Sequence, residues 1–188
     1  MTRSLHHPLR AALALLLVLP VTMHGQFDEY GVKAAFVRNF LPFVEWPAER
    51  VPPGEPFLLC VYNGSPITAK LNALTFDPIR GHRVQIRTMS AVPDLGICHA
   101  VFVPQSESAQ VRDIQGRYKG GGVLTITEDV ADRTGAAINM YVANSRMTFD
   151  VDIAAADAAG VRISSKLLAL AKRVHGAPTT SGAAPPSR

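Results

Sequence analysis

Six consecutive apolar residues, Phe57-Leu58-Leu59-Cys60-Val61-Tyr62, stand between Pro56 and Asn63-Gly64. A strand with one wet face alternates; an unbroken run framed by turn residues has no wet face and reads as a strand buried on both sides. Helices on both faces of a parallel sheet provide that environment. The neighbouring segments supply such a pattern. Asn63-Gly64-Ser65-Pro66 opens a short helix, with Ser65 as N-cap, Pro66 at the first helical position and Ile67, Leu71 and Leu74 facing inward. His82 to Thr88 alternates around Val84 and Ile86 as a second strand, and Cys98 to Val103 is a third. Ser106 then caps a helix carrying Val111, Ile114 and Tyr118, and Gly120-Gly121-Gly122 turns the chain into a fourth strand, Val123 to Thr127. Strands alternating with helices imply βαβ units.

The flanking segments differ. Asp28 to Val44 reads as an opening helix capped by Asp28, with Val32, Phe36, Phe40 and Phe43 on one apolar face; Pro42 should kink or end it near Leu41. Phe36, Phe40 and Phe43 are expected in the core, the alternative being an interface. Pro47 to Pro56 is a loop, and the single Trp, Trp46, is a packed anchor. Beyond the fourth strand, Ile138, Met140 and Val142 alternate, and after Ala143-Asn144-Ser145 so do Met147, Phe149 and Val151. This is a β-hairpin with Arg146, Thr148, Asp150 and Asp152 on its wetter face. Asp152 caps a helix over Ile153 to Ala159, closed by Gly160. Ser164 opens a last helix in which Leu167, Leu170, Ala171 and Val174 share a face, with Lys172, Arg173 and His175 in its final turn. The expected fold is a single α/β domain: a mixed, mostly parallel sheet flanked by helices, a C-terminal hairpin and two closing helices. A length of 188 residues leaves room for one such domain.

The N-terminus carries Arg3, His6, His7 and Arg10 before an apolar run from Ala11 to Pro20, and then Val21-Thr22-Met23-His24-Gly25. A basic head, a short apolar stretch and a small final residue predict a secretory signal peptide over residues 1–25. The run is too short to span a ~30 Å hydrocarbon layer. The domain is then expected over 26–175, and the Gly-, Pro- and Ser-rich residues 176–188 as a disordered tail. Removing Arg3 and Arg10 from the 19 Lys and Arg leaves 17 against 15 Asp and Glu, a charge of only +2, which gives no footing for nucleic-acid binding.

Two cysteines follow, Cys60 and Cys98. In an oxidising compartment two cysteines of a small domain usually pair, the alternative being two buried free thiols. Neither lies in a C-x-x-C. The triple glycine precedes a strand rather than joining strand to helix, so it reads as a turn and not a phosphate cradle. His99 beside Cys98 reads as a strand-start histidine rather than a metal ligand, and Ser164-Ser165-Lys166 as a capped helix start rather than a nucleophile pair. Glu128, Asp129 and Asp132 read as a solvated loop. With no nucleophile, base and orienting group to assemble, the residues indicate a non-enzymatic binding protein without metal or cofactor.

Several segments resemble one family. Glu29-Tyr30-Gly31-Val32-Lys33-Ala34-Ala35-Phe36, then Asn39-Phe40, Phe43 and Glu45-Trp46-Pro47, are similar to the opening of the YfiR-type periplasmic repressors. Cys60-Val61, Cys98-His99, Val123-Leu124-Thr125-Ile126 and Ile138-Asn139 follow in the family's order. Arg162-Ile163-Ser164-Ser165-Lys166-Leu167-Leu168 resembles its R-I-S-S-K/R-L-L ending. The resemblance implies an α/β domain, often dimeric, that binds the periplasmic region of an inner-membrane diguanylate cyclase and represses cyclic di-GMP synthesis and biofilm output. It also implies an outer-membrane lipoprotein that sequesters the repressor. The alternative is a periplasmic small-ligand binder whose ligand controls a partner contact. Arg162 and Lys166, cations near a helix start, are candidate ligand or partner contacts.

Overall fold

The computed structural model describes residues 28–130 and 135–176, so the expected signal peptide, the 177–188 tail and Asp132 lie outside the described residues. Seven strands form one sheet in the order β3-β2-β4-β5-β6-β7-β9. They are β2 (Phe57–Tyr62), β3 (Val84–Met89), β4 (Ala100–Val103), β5 (Leu124–Glu128), β6 (Ile138–Ala143), β7 (Arg146–Asp152) and β9 (Arg173–His175). The pairs from β3 through β6 are parallel, β6–β7 is the antiparallel hairpin, and β9 runs parallel to β7. A second ribbon pairs β1 (Val44–Glu45) with β8 (Arg162–Ile163), Val44 opposite Ile163 and Glu45 opposite Arg162. The helices are α1 (Glu29–Phe40), α2 (Ile67–Ala73), α3 (Val111–Arg117), α4 (Ile153–Ala159) and α5 (Ser165–Leu168). This is the mixed, mostly parallel α/β sheet expected.

All six residues of β2 are buried. Its side chains alternate between two apolar clusters: Phe57, Leu59 and Val61 enter the larger, with α1, α2 and α4, while Leu58, Cys60 and Tyr62 enter the smaller, with α3. Pairing β3 to one side of β2 and β4 to the other leaves the strand no solvent, which is why its side chains are apolar throughout. The hairpin turns through Asn144 and Ser145, both left-handed at φ 50° and 59°, as a two-residue primed turn requires. Asp152 Oδ1 accepts from the Ala155 amide at 3.0 Å, and Gly160, at φ 80°, ends α4.

Five expectations need correction. Helix α2 begins at Ile67, so Pro66 and not Ser65 holds the N-cap position, and no side chain caps it. The α1 helix is capped by Asp28, whose Oδ1 accepts from Gly31 N–H at 3.0 Å, and gives way before Pro42 to a 3-10 turn over Leu41–Phe43. Its buried side, however, is Lys33, Ala34, Val37 and Phe40, with Phe36 and Phe43 only half-buried. Ser106 caps nothing: residues Gln105–Gln110 form a 3-10 turn, and α3 starts at Val111 without a side-chain cap. Glu128 is not in a solvated loop; it is the last residue of β5 and 4% exposed.

The last helix stops at Leu168, and Arg173–His175 forms β9 instead of a final helical turn. Lys172 N–H donates to Phe149 O at 2.8 Å and Arg173 Nε to Asp150 Oδ2 at 2.9 Å. Those tertiary bonds outweigh the few tenths of a kcal/mol that a helix C-terminus offers a cation.

Candidate functional site

Three constellations have geometry beyond simple packing. The first is charged. One turn into α1, Lys33 is 2% exposed, and its Nζ lies 2.6 Å from Glu29 Oε1, 2.6 Å from Glu128 Oε2 and 2.8 Å from Asp129 Oδ2. The Glu128 contact is an ion pair without aligned hydrogen-bond geometry, while Asp129 accepts a true hydrogen bond. The Tyr30 ring centroid stands 5.4 Å away. Asp129 is swung toward Lys33 by a left-handed backbone, φ 49°, and fixed there by its amide on Met140 O at 2.7 Å and its carbonyl under Gln105 Nε2 at 2.9 Å. Burial alone would lower the Lys33 pKa; Asp129, Glu128 and Glu29 together outweigh it and hold the ammonium above its ordinary range.

The second surrounds the Cys60–Cys98 disulfide, Cα–Cα 5.9 Å. Leu58 N–H donates to His99 Nδ1 at 2.8 Å, so the imidazole carries its proton on Nε2 and donates to Arg50 O at 2.9 Å. The Arg50 guanidinium returns to the carbonyls of Gly96 and Cys98 at 2.5 and 2.7 Å, and Trp46 Nε1 donates to His99 O at 2.9 Å. Phe57 stacks on the His99 ring, centroids 4.9 Å apart. Trp46 is thus the packed anchor expected. Among the described residues no group of His, Cys, Asp and Glu could hold a metal ion.

Burial lowers the His99 pKa below 6.5, against weaker raising contributions from its backbone bonds to Arg50 and Leu58. The unfolded chain then binds a proton that the folded chain refuses. The stability this neutral imidazole supports is present above about pH 6.5 and is lost as pH falls from there through the folded value. Thermal melts from neutral toward mildly acidic pH should show wild type losing stability faster than His99→Gln; parallel profiles would refute the assignment.

The third is an apolar cavity of about 320 Å³, open at one side. Phe36, Phe40 and Phe43 come from α1 and its terminal turn, Met147 and Phe149 from β7, and Leu167 and Leu170 from α5 and the turn after it; Asn39 and Thr148 give it two polar edges. The Phe40 and Phe149 rings lie 4.7 Å apart, centroid to centroid. Leu170 is 67% exposed, although its side chain forms part of an apolar wall. The space exceeds that of a cavity able to hold benzene, roughly 150 Å³.

The residues singled out by sequence fall in different places. Cys60 and Cys98 meet in the disulfide. Arg162, on β8, is exposed with Nη2 3.4 Å from Glu45 Oε2, and Lys166 is exposed on α5 beside Leu167. Neither cation lines the cavity. Lys33 was missed, and the available signal was Glu29 four residues before it, a favourable helical ion-pair spacing.

No helix among the described residues is long and apolar enough to cross a membrane. A search of curated proteins returns no match. A YfiR/HmsC-like family model matches residues 30–172, from the second residue of α1 to the threshold of β9. That span takes in Lys33 with Glu128 and Asp129, the disulfide corner and the apolar cavity, and this chain belongs to the YfiR/HmsC-like family.

Proposed function

We propose that this protein is an exported, non-enzymatic repressor that binds the periplasmic region of an inner-membrane diguanylate cyclase and restrains cyclic di-GMP synthesis. Membership of the YfiR/HmsC-like family supports a periplasmic regulator of diguanylate cyclase signalling at the level of the family. The observation that carries the docking reading is the open apolar cavity, where exposed Leu170 and half-buried Phe36, Phe43 and Met147 leave room for a partner's apolar side chain.

In this reading Arg162 and Lys166, on the neighbouring surface, are rim contacts that orient the partner. An outer-membrane lipoprotein competing for the same surface relieves repression. Residues 1–25 direct export. Repression requires tighter binding to the inactive cyclase; a ~100-fold preference supplies about 2.7 kcal/mol of bias.

The test is deletion in the native host with cyclic di-GMP measured, followed by complementation with wild type and with Leu170→Asp. Deletion should raise cyclic di-GMP and wild type should restore it. Leu170→Asp, altering an exposed side chain, should accumulate and melt like wild type yet fail to restore. An unchanged level on deletion, with the cyclase expressed, would refute the repressor. Full restoration by Leu170→Asp would refute the cavity as the docking point.

A further inference from the structure

A second cavity, of about 150 Å³, lies at the amino ends of β2 and β3 and shares no lining residue with the first. Trp46 and Val51 come from the segment after β1, Phe57 from the first position of β2, and Ile79, Arg80 and His82 from the turn before β3. Its floor is aromatic: the buried Trp46 and Phe57 rings meet edge to face, centroids 4.8 Å apart. Arg80 is the one permanent charge in the lining. Glu49 and Glu55, on the segment between Trp46 and Phe57, stay outside it.

The turn that carries Arg80 is built against residue preference. Ile79 N–H donates to His82 O and His82 N–H to Ile79 O, both at 2.9 Å, closing a two-residue turn. Arg80 and Gly81 sit in it at φ 51° and 86°. Asn, Asp or Gly normally fills the first of those positions, since other side chains are strained there. Here it is an arginine, whose Nη1 donates to Trp46 O at 2.8 Å and so holds the guanidinium at the cavity. Backbone strain of this kind gathers at ligand clamps. On the same turn, His82 Nδ1 donates to Glu55 O at 2.7 Å, which fixes the imidazole in the wall.

Three features of the lining select among small molecules. The volume matches that of a cavity that takes benzene, roughly 150 Å³. The floor favours a flat π-system in edge-to-face or offset contact. A guanidinium, with planar paired donors and no acidic neighbour in the lining, suits a carboxylate.

We propose that this cavity is a binding site for a small aromatic monocarboxylate of the benzoate class, with its ring against Trp46 and Phe57 and its carboxylate on Arg80. Bound there, the anion ties the segment after β1 to the 79–82 turn. It thereby braces Arg50, whose guanidinium holds the Gly96 and Cys98 carbonyls of the disulfide corner.

Trp46 is the only tryptophan of the chain, so its emission reports on this cavity. The full chain is titrated with sodium benzoate, benzamide and sodium acetate at constant ionic strength, and Trp46 emission and melting temperature are read together. Benzoate should give a saturable change in emission and a matching rise in melting temperature. Benzamide keeps the ring and loses the charge; it should bind roughly tenfold more weakly, the discrimination a charged hydrogen bond provides. Acetate, with the charge and no ring, should leave both readouts unmoved. Arg80→Gln, at an exposed turn position, should reduce benzoate to the level of benzamide. No saturable change with benzoate, or a melting shift with Trp46 silent, would overturn the site. Equal binding of benzamide, or undiminished benzoate binding by Arg80→Gln, would overturn the carboxylate on Arg80, and acetate matching benzoate would overturn the ring. Should Arg80→Gln not fold, the ratio of benzoate to benzamide affinity in the wild type decides the charge on its own.

Discussion

Replacing Lys33 by Met is expected to lower the free energy of unfolding by about 3–5 kcal/mol, the usual cost of removing one partner from a buried ion pair. The reason is the residue left behind: Glu128 is 4% exposed, and without the ammonium it is a carboxylate in the interior with Asp129 beside it. Adding Glu128→Gln should recover a large part of the loss by removing the stranded charge. Urea unfolding of the wild type, Lys33→Met and the double variant measures both values. A Lys33→Met loss within about 0.5 kcal/mol, the ordinary range for a surface substitution, would mean that water reaches the cluster and screens it.

The same cluster has a signature in base. Because the folded Lys33 pKa is raised above 10.5, the stability it contributes is complete below that pH and disappears as pH climbs through the folded value. Wild type should therefore lose its advantage over Lys33→Met only in strong base.

Removing the disulfide, as Cys60→Ala with Cys98→Ala, should cost roughly 4 kcal/mol, the loop-closure value for cysteines 38 apart in sequence. Both side chains are fully buried in the smaller apolar cluster, so a reductant should reach the bond only through unfolding or wide local opening. Urea midpoints with and without dithiothreitol, and the rate of reduction of the native protein, test the two parts separately. Rapid reduction under native conditions, with little change in midpoint, would contradict both.

The legible parts of this protein were those written in local periodicity. The strands β2 through β7 announce themselves by apolar runs or alternation, and Asp28, Pro42, Asp152 and Gly160 mark real helix ends. What stayed hidden depends on residues distant in sequence. Lys33 was not singled out because its partner Asp129 lies 96 residues away. The β9 residues carried the charges of a helix C-terminus, and only Asp150, 23 residues before Arg173, reveals why they extend. The β1–β8 ribbon joins segments at opposite ends of the domain, each too short for a periodic signal. The cavity was half visible: Phe36, Phe40 and Phe43 were identified as one apolar face, but Met147, Phe149, Leu167 and Leu170, which complete the lining, come from segments distant in sequence.

The strand order β3-β2-β4 also has a kinetic meaning. After β3 has paired on one side of β2, the chain must cross back to place β4 on the other, a non-local parallel contact of the kind that slows the search for the native topology. The Cys60–Cys98 link lies on that seam, with Cys60 opposite Val101 and Cys98 two residues before β4 begins. Once oxidised, the polypeptide no longer has to find this neighbour by diffusion, because most of the loop entropy has already been removed. The bond therefore acts as a topological memory: a transiently unfolded molecule keeps the least local pairing of its seven-stranded sheet within reach and returns to the native arrangement sooner than its reduced form would.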